Sequence, residues 1–372
     1  MKIIIIGTAY PLRGGIAHYI ALLGQALGKR HDVETITFKR QYPAFLFPGK
    51  TQQENDEGPH APSAPELVDS INPLNWLRVA RLVRQRRPDL LVFKYWLPFF
   101  GPCFGTIAAL AKRRTSTRVL FICDNILPHE RRPFDMMFTR YAFKRADYFI
   151  VQSEAVERDL RQFWPSAVFR HVPHPVYSMF GDPVGKTEAR TVLHLDSRPT
   201  ILFFGYIRGY KGLHLLLDAT ARVVRELPFH LLVVGEFYDD ESGYRAQIKS
   251  LGLESHVTVV SDYVPNEDVR LYFSAADAVI LPYLSATQSG IAQIALHFDK
   301  PLIVTDVGGL AETVRHEVTG LVVQPNDPEV LADAILRFYR DGLEEKFLPA
   351  VKEEKKKYSW EALVSAIEEL AS

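Results

Sequence analysis

Short β-branched runs alternate with longer amphipathic segments along this chain, and the whole alternation occurs twice. Strands separated by helices can pair only in parallel, through crossovers that lay helices over both faces of a sheet. In the first half, strands are predicted near 2 to 6, 33 to 38, 89 to 93, 118 to 122 and 147 to 151, with helices near 15 to 28, 73 to 87, 104 to 114, 133 to 145 and 153 to 162. In the second half, strands are predicted near 200 to 204, 230 to 234, 257 to 260, 278 to 281, 302 to 305 and 320 to 323, with helices between them. The pattern describes an α/β chain of two Rossmann-like, doubly wound parallel-sheet domains expected to face each other across a cleft. Sheets of this kind take ligands beyond the carboxyl ends of their strands.

A length of 372 residues suits two such domains. Between 173 and 199, Pro173, Pro175, Gly181, Pro183, Gly185 and Pro199 break any regular period and mark the linker. The expected division is 1–175, 176–350 and a C-terminal helix, 351–372. Within that helix Trp360, Leu363, Ile367 and Leu370 are spaced for one apolar face. From Lys39 to Asn72 the proline-rich sequence reads as irregular, either a functional lid or an inserted segment.

Charge narrows the partners. Lys+Arg and Asp+Glu are 44 each, so there is no bulk electrostatic footprint for nucleic acid or an anionic membrane. Two cysteines, Cys103 and Cys123, build no disulfide framework and suit a reducing cytoplasm. The four isoleucines after Lys2 are too few for a signal segment, and no apolar run approaches 18 residues, so a soluble or peripheral protein is expected.

Several loops carry residues suited to an anion. The first strand ends in Gly7, and Gly14 and Gly15 open the following helix, where backbone can approach a ligand closely or simply turn. The strand Ile201–Phe204 runs into Gly205, Tyr206, Arg208, Lys211 and Gly212. Arginine and lysine at a strand's carboxyl end would neutralise a diphosphate. The strand ending at Leu281 leads through Pro282 and Tyr283 to Thr287, Gln288, Ser289 and Gly290. There Ser289 or Thr287 is placed to cap a helix whose first NH groups, on Gly290 and Ile291, point outward. On that helix Ile291, Ile294, Ala295 and Phe298 are expected to face inward and Gln293 elsewhere.

The order of these pieces resembles the retaining GT-B glycosyltransferases of the family-four type. The resemblance rests on Gly14-Gly15, the loop Gly205 to Gly212, Gly235-Glu236, Asp262 to Pro265, Ala276-Asp277 to Pro282-Tyr283, Val307-Gly308-Gly309, Glu312 and Thr319-Gly320. Together with Asp124-Asn125 and Pro128-His129-Glu130, the stretch Pro282 to Gly290 resembles a bacterial subgroup concerned with cell-surface polysaccharides. The resemblance implies transfer of a sugar from a nucleoside diphosphate sugar, held by the C-terminal domain, to a glycan or lipid-linked acceptor held by the N-terminal domain. It implies that Lys211 and the NH groups of Gly290 and Ile291 bind the diphosphate, that Gly15 approaches it, that Tyr263 and Val264 flank the nucleobase, and that His129 lies near the transferred sugar. His129, Arg208 and Lys211 are therefore the expected catalytic residues, and no cofactor beyond the donor substrate is expected.

Departures from the family pattern are specific. Tyr206 stands where the family has arginine, which leaves Arg208 as the substitute. The paired glutamates of the family fall on Ala286 and Ile294, with Gln288, Ser289 and Gln293 the nearest polar residues. Asp239-Asp240-Glu241 begins a helix and reads as capping rather than metal binding. His171 and His174 stand without further ligands at zinc spacing. Asp124 and Glu130 could orient or deprotonate an acceptor hydroxyl, or cap a loop. Arg78, Arg81, Arg84, Arg86 and Arg87, with Lys94-Tyr95-Trp96, leave open a peripheral membrane contact through the first domain. The alternatives are a non-catalytic nucleotide-sugar or glycan-binding homologue, and a sugar-nucleotide epimerase of the same fold.

Overall fold

The computed structural model describes residues 1–12, 14–43, 64–126, 133–262, 264–286 and 289–372. The chain forms two compact units, Met1–Pro175 with Ser359–Ser372, and Val176–Tyr358.

In the first unit the order is β1 (Lys2–Ile6), α1 (Gly15–Gly28), β2 (Asp32–Arg40), β3 (Glu66–Asp69), α2 (Pro73–Arg86), β4 (Leu90–Tyr95), α3 (Gly101–Ala111), β5 (Arg118–Cys123), α4 (Asp135–Phe143), β6 (Tyr148–Val151), α5 (Glu154–Phe163) and β7 (Phe169–His171). The strands pair in parallel in the order β3-β2-β1-β4-β5-β6-β7, so the winding reverses between β1 and β4. Ile3 to Ile6 are wholly buried, as a strand covered on both faces requires. Alternate residues Leu91, Phe93 and Tyr95 of β4 join Phe100, Phe104 and Ile107 in one core layer. Asn72 accepts hydrogen bonds from the NH groups of Leu74 and Asn75, and Pro73 fills the first turn, which fixes the start of α2. At the start of α1, Gly14 takes φ 108°, a conformation open to glycine.

The second unit runs α6 (Lys186–Val192), β8 (Thr200–Phe204), α7 (Leu213–Val223), β9 (His230–Val234), α8 (Glu241–Ser250), β10 (Val257–Val260), α9 (Asn266–Ala275), β11 (Ala278–Leu281), α10 (Gly290–His297), β12 (Leu302–Thr305), α11 (Gly308–Glu312), β13 (Gly320–Val323), α12 (Pro328–Arg340) and α13 (Leu343–Glu354). Its parallel order is β10-β9-β8-β11-β12-β13, reversing between β8 and β11. Ile201 and Phe203 of β8 pack with Leu216, Leu217, Val233, Ile280 and Ile335 in its core.

Three sequence expectations change. The segment 39–72 is not irregular throughout, because β2 extends to Arg40 and β3 adds an edge strand; residues 44–63 lie outside the described residues. The stretch 173–199 holds helix α6, so the change of unit is confined to Pro175 and Val176. The tail is not one helix from 351. Residues up to Tyr358 stay with the second unit, and α14 (Trp360–Ala371) belongs with the first. There α14 buries Trp360, Leu363, Ile367 and Leu370, and His31 Nε2 meets Glu368 Oε1 at 2.8 Å.

Candidate functional site

The reversal between β8 and β11 puts two loops side by side at the carboxyl ends of those strands, the usual ligand position of an open α/β sheet. Gly205 leaves β8 with φ +98°. A β-carbon there would stand 3.0 Å from Ile291 Cδ1 and 3.3 Å from Lys211 Nζ. Glycine thus lets the first turn of α10 and the lysine ammonium meet over bare backbone. Gly212, at φ +72°, passes so close to Pro282 that a side chain would collide with its carbonyl oxygen. Leu284 NH donates to the Tyr210 carbonyl at 2.7 Å and ties the two loops together.

Lys211 is 7% exposed and its Nζ lies 5.5 Å from the centre of the Tyr283 ring. Among the described residues no carboxylate pairs with it. Burial first, and then the charge of Arg208, push its pKa down to about 7. Such a group gains most from an anionic ligand. Helix α10 begins at Gly290 without a side-chain cap among the described residues, and its first NH groups add donors on the same side as Lys211. Of the two residues expected to cap, Ser289 does not, and Thr287 lies outside the described residues. The Ser289 Oγ lies 3.5 Å from the Tyr283 hydroxyl, and both are buried.

Arg208 turns its guanidinium over the Tyr238 ring, 4.7 Å from the centre, and Tyr206 packs on the same ring at 4.6 Å. The Gly209 NH donates to Asp239, which anchors the loop from β9's side. Asp240 caps α8 through the Ser242 NH, as its sequence position suggests. Gly235, φ +144°, touches the Gly205 backbone so closely that only glycine fits. Val264 is buried beyond β10, at the far edge of the sheet from β13. Tyr263, His129, Thr287 and Gln288 lie outside the described residues, as do Pro128 and Glu130.

Ala286 and Ile294 are both buried and bring no polar atom to the site. Gln293 is buried too, at 4% exposure, and its Oε1 has no hydrogen-bond partner among the described residues. This corrects the expected outward direction of Gln293. Residues Ala292 to Leu296 are all buried, while Ile291 is only half-buried.

In the first unit Gly14 and Gly15 stand at the start of α1, beyond the carboxyl end of β1, with Gly15 exposed. Lys94-Tyr95-Trp96 is not a surface patch. Lys94 is 1% exposed, and its ammonium is held by Asp124 Oδ1 at 2.6 Å and Gln152 Oε1 at 2.9 Å, under the Tyr19 ring at 3.6 Å. Burial lowers the Lys94 pKa and raises that of Asp124. His174 is buried, bonded through Nδ1 to the Pro175 carbonyl, and burial with the nearby Lys94 charge holds its pKa down to about 3. His171 pairs with Glu157 at 3.0 Å. Cys103 and Cys123 are free and buried, and burial raises both thiol pKa values.

Known proteins resemble this chain in sequence and in fold. Residues 14–175 match the family described as "Glycosyl transferase 4-like domain", and residues 198–341 the one described as "Glycosyl transferases group 1". The protein YtcC of Bacillus subtilis (strain 168) is 33% identical over 177 residues, 45% of this chain and 42% of that protein. The aligned region thus spans less than half the length of that curated relative. The D-inositol 3-phosphate glycosyltransferase of Acidothermus cellulolyticus is 23% identical over 384 residues, covering 95% of this chain and 84% of its own. The crystal structure of Anabaena HepE in complex with UDP superposes with a TM-score of 0.78 at 19% identity, over 99% of both chains, a likeness of GT-B fold.

Proposed function

This chain belongs to the group 1, 4-like glycosyltransferases, and on that premise we propose that it moves a sugar from a nucleoside diphosphate sugar, held by the second unit, to a glycan or lipid-linked acceptor, with retention and without metal. The observation that carries the reading is Lys211: a buried ammonium with neither a carboxylate partner nor, on the neighbouring helix start, a side-chain cap among the described residues, beside a glycine. In such a transfer, positive charge grows on the sugar ring and negative charge on the departing β-phosphate. Lys211 and the NH groups of Gly290 and Ile291 would meet the second charge with preorganised donors, usually the largest catalytic term. Arg208 adds a further cation near Lys211. These groups supply the charge a metal would otherwise bring. HepE, which has this fold, binds UDP. Tyr263 and Val264 at the nucleobase, Gly14 and Gly15 at the diphosphate, and His129 near the transferred sugar complete the proposal.

Contact with a membrane surface is part of the same reading. Leu74 and Leu77 on α2, and Ile71 just before its cap, are exposed, as are Arg78 and Arg81. No helix among the described residues is long and apolar enough to cross a membrane. A reading without turnover draws on buried, apolar Ala286 and Ile294, which leave two family roles unfilled. Release of nucleoside diphosphate from UDP-glucose, ADP-glucose and GDP-mannose, with and without a mixed glycan acceptor pool, separates them. Release that requires acceptor and disappears in Lys211→Ala supports transfer, and binding without release supports the second reading. Conversion of the donor without acceptor would indicate an epimerase.

A further inference from the structure

The pairing of β8 with β9 does not stop where the strands end. The Gly205 NH donates to the Val234 carbonyl at 2.9 Å, the Ile207 NH to the Glu236 carbonyl at 2.9 Å, and the Tyr238 NH to the Ile207 carbonyl at 3.0 Å. Ile207 and Phe237 stand opposite each other in a parallel bridge, and Ile207 is wholly buried. Side chains alternate across such a pairing, so Tyr206, Arg208 and Tyr238 share the other face, where all three are half-buried. Phe237 packs on Tyr244 of α8, 5.6 Å between ring centres, and Asp239 takes the Gly209 NH, which pins the loop on either side of Tyr238.

Arg208 lies with its guanidinium carbon 4.7 Å from the centre of the Tyr238 ring, and among the described residues it makes no hydrogen bond and no ion pair. Lys211 stands near enough for the Arg208 charge to lower its pKa. Two unpaired cations repel each other, and a long side chain loose in solvent keeps its rotamer entropy, so an arginine left to itself would swing away. The Tyr238 ring opposes that. Its π face attracts a guanidinium without using up the NH groups as a carboxylate would. The Tyr206 ring, 4.6 Å from that of Tyr238 and inclined 35° to it, backs the platform.

We propose that Tyr238 is a positioning residue: its ring clasps Arg208 beside Lys211, so that guanidinium NH groups stay free for the donor diphosphate. The proposal rests on the transferase reading and goes beyond it in giving a role to Tyr238 and, as its support, to Tyr206. A carboxylate in the place of Tyr238 would hold the arginine and cancel its charge. An aromatic ring holds it and keeps the charge, as recognition of a multiply charged anion requires. Arginine also stays protonated, so this cation persists where Lys211, held down to about 7, loses its proton.

Calorimetric titration of the full chain with UDP, GDP and ADP tests this in wild type, Tyr238→Phe, Tyr238→Leu, Arg208→Gln and the double variant Arg208→Gln with Tyr238→Leu. Tyr238→Phe keeps a ring face and binds the preferred nucleotide within about twofold of wild type, whereas Tyr238→Leu keeps apolar bulk alone and weakens binding about fivefold. In the Arg208→Gln background Tyr238→Leu adds no further loss, because no cation remains to be held. A ring that merely supported the loop would weaken binding equally in both backgrounds. That result, or wild-type binding by Tyr238→Leu, or Tyr238→Phe as weak as Tyr238→Leu, overturns the role of Tyr238 and leaves the transferase reading standing. If wild type binds none of the three nucleotides, both fall.

Discussion

The Lys211 ammonium stands against the bare α-carbon of Gly205, 3.3 Å from where a β-carbon would be. The contact couples backbone conformation to charge placement. At φ +98° a side chain is strained by about 1–3 kcal/mol, and it would press on both Ile291 and Lys211. Gly205→Ala is therefore expected to lower stability by roughly that amount and to weaken nucleotide binding beyond it. Chemical denaturation and calorimetry on the same preparation check the two effects.

Lys211 gives a pH signature with opposite signs for stability and binding. Its ordinary value is 10.5, and in the folded, ligand-free protein it is held down to about 7. Between those values the unfolded chain binds the extra proton, so this residue's contribution to stability rises with pH from about 7 towards 10.5. Below 7 the full cost of the buried charge is present. A diphosphate requires the ammonium, so affinity falls above pH 7 by up to about tenfold per pH unit. Titrations from pH 6 to 9 with wild type and Lys211→Met test this, the variant losing both trends and most of the binding.

Helix α14 completes the first unit from the far end of the chain. Trp360 is 9% exposed and packs 5.2 Å from the Tyr19 ring. Trp360→Ala is expected to cost about 3–5 kcal/mol. Hydrogen exchange should rise in β1 and α1 and stay unchanged in β8 and α7.

Leu74 and Leu77, 68% and 49% exposed, give the membrane reading a direct check. Each leucine transferred from water stabilises a bound state by about 1.5–3 kcal/mol. The double variant Leu74→Asp with Leu77→Asp should lose at least about tenfold in sedimentation with phosphatidylglycerol-containing vesicles. Equal sedimentation of variant and wild type would remove this surface from the account.

The central strands are legible because burial on both faces writes them as unbroken apolar runs: β1, β8 and β12 stand at the expected residues. β3 and β7 are not, since Glu66-Leu67-Val68-Asp69 and Phe169-Arg170-His171 are short edge strands with charged residues. In the site, the glycines around Lys211 signal a close approach that the backbone then makes. Gln293 escapes a one-face helical reading because five consecutive residues of α10 are buried. Lys94 escapes because its partner Asp124 lies 30 residues away, and a charge at a strand end carries no mark of the neighbour that will bury it.

Calorimetric titration of wild type and Lys211→Ala with UDP, GDP and ADP, without and with EDTA, tests the central claim most directly. The account predicts tight binding of one nucleotide, indifferent to chelator and lost in the variant. Binding of the same strength in Lys211→Ala, or none by any nucleotide in the wild type, would contradict it.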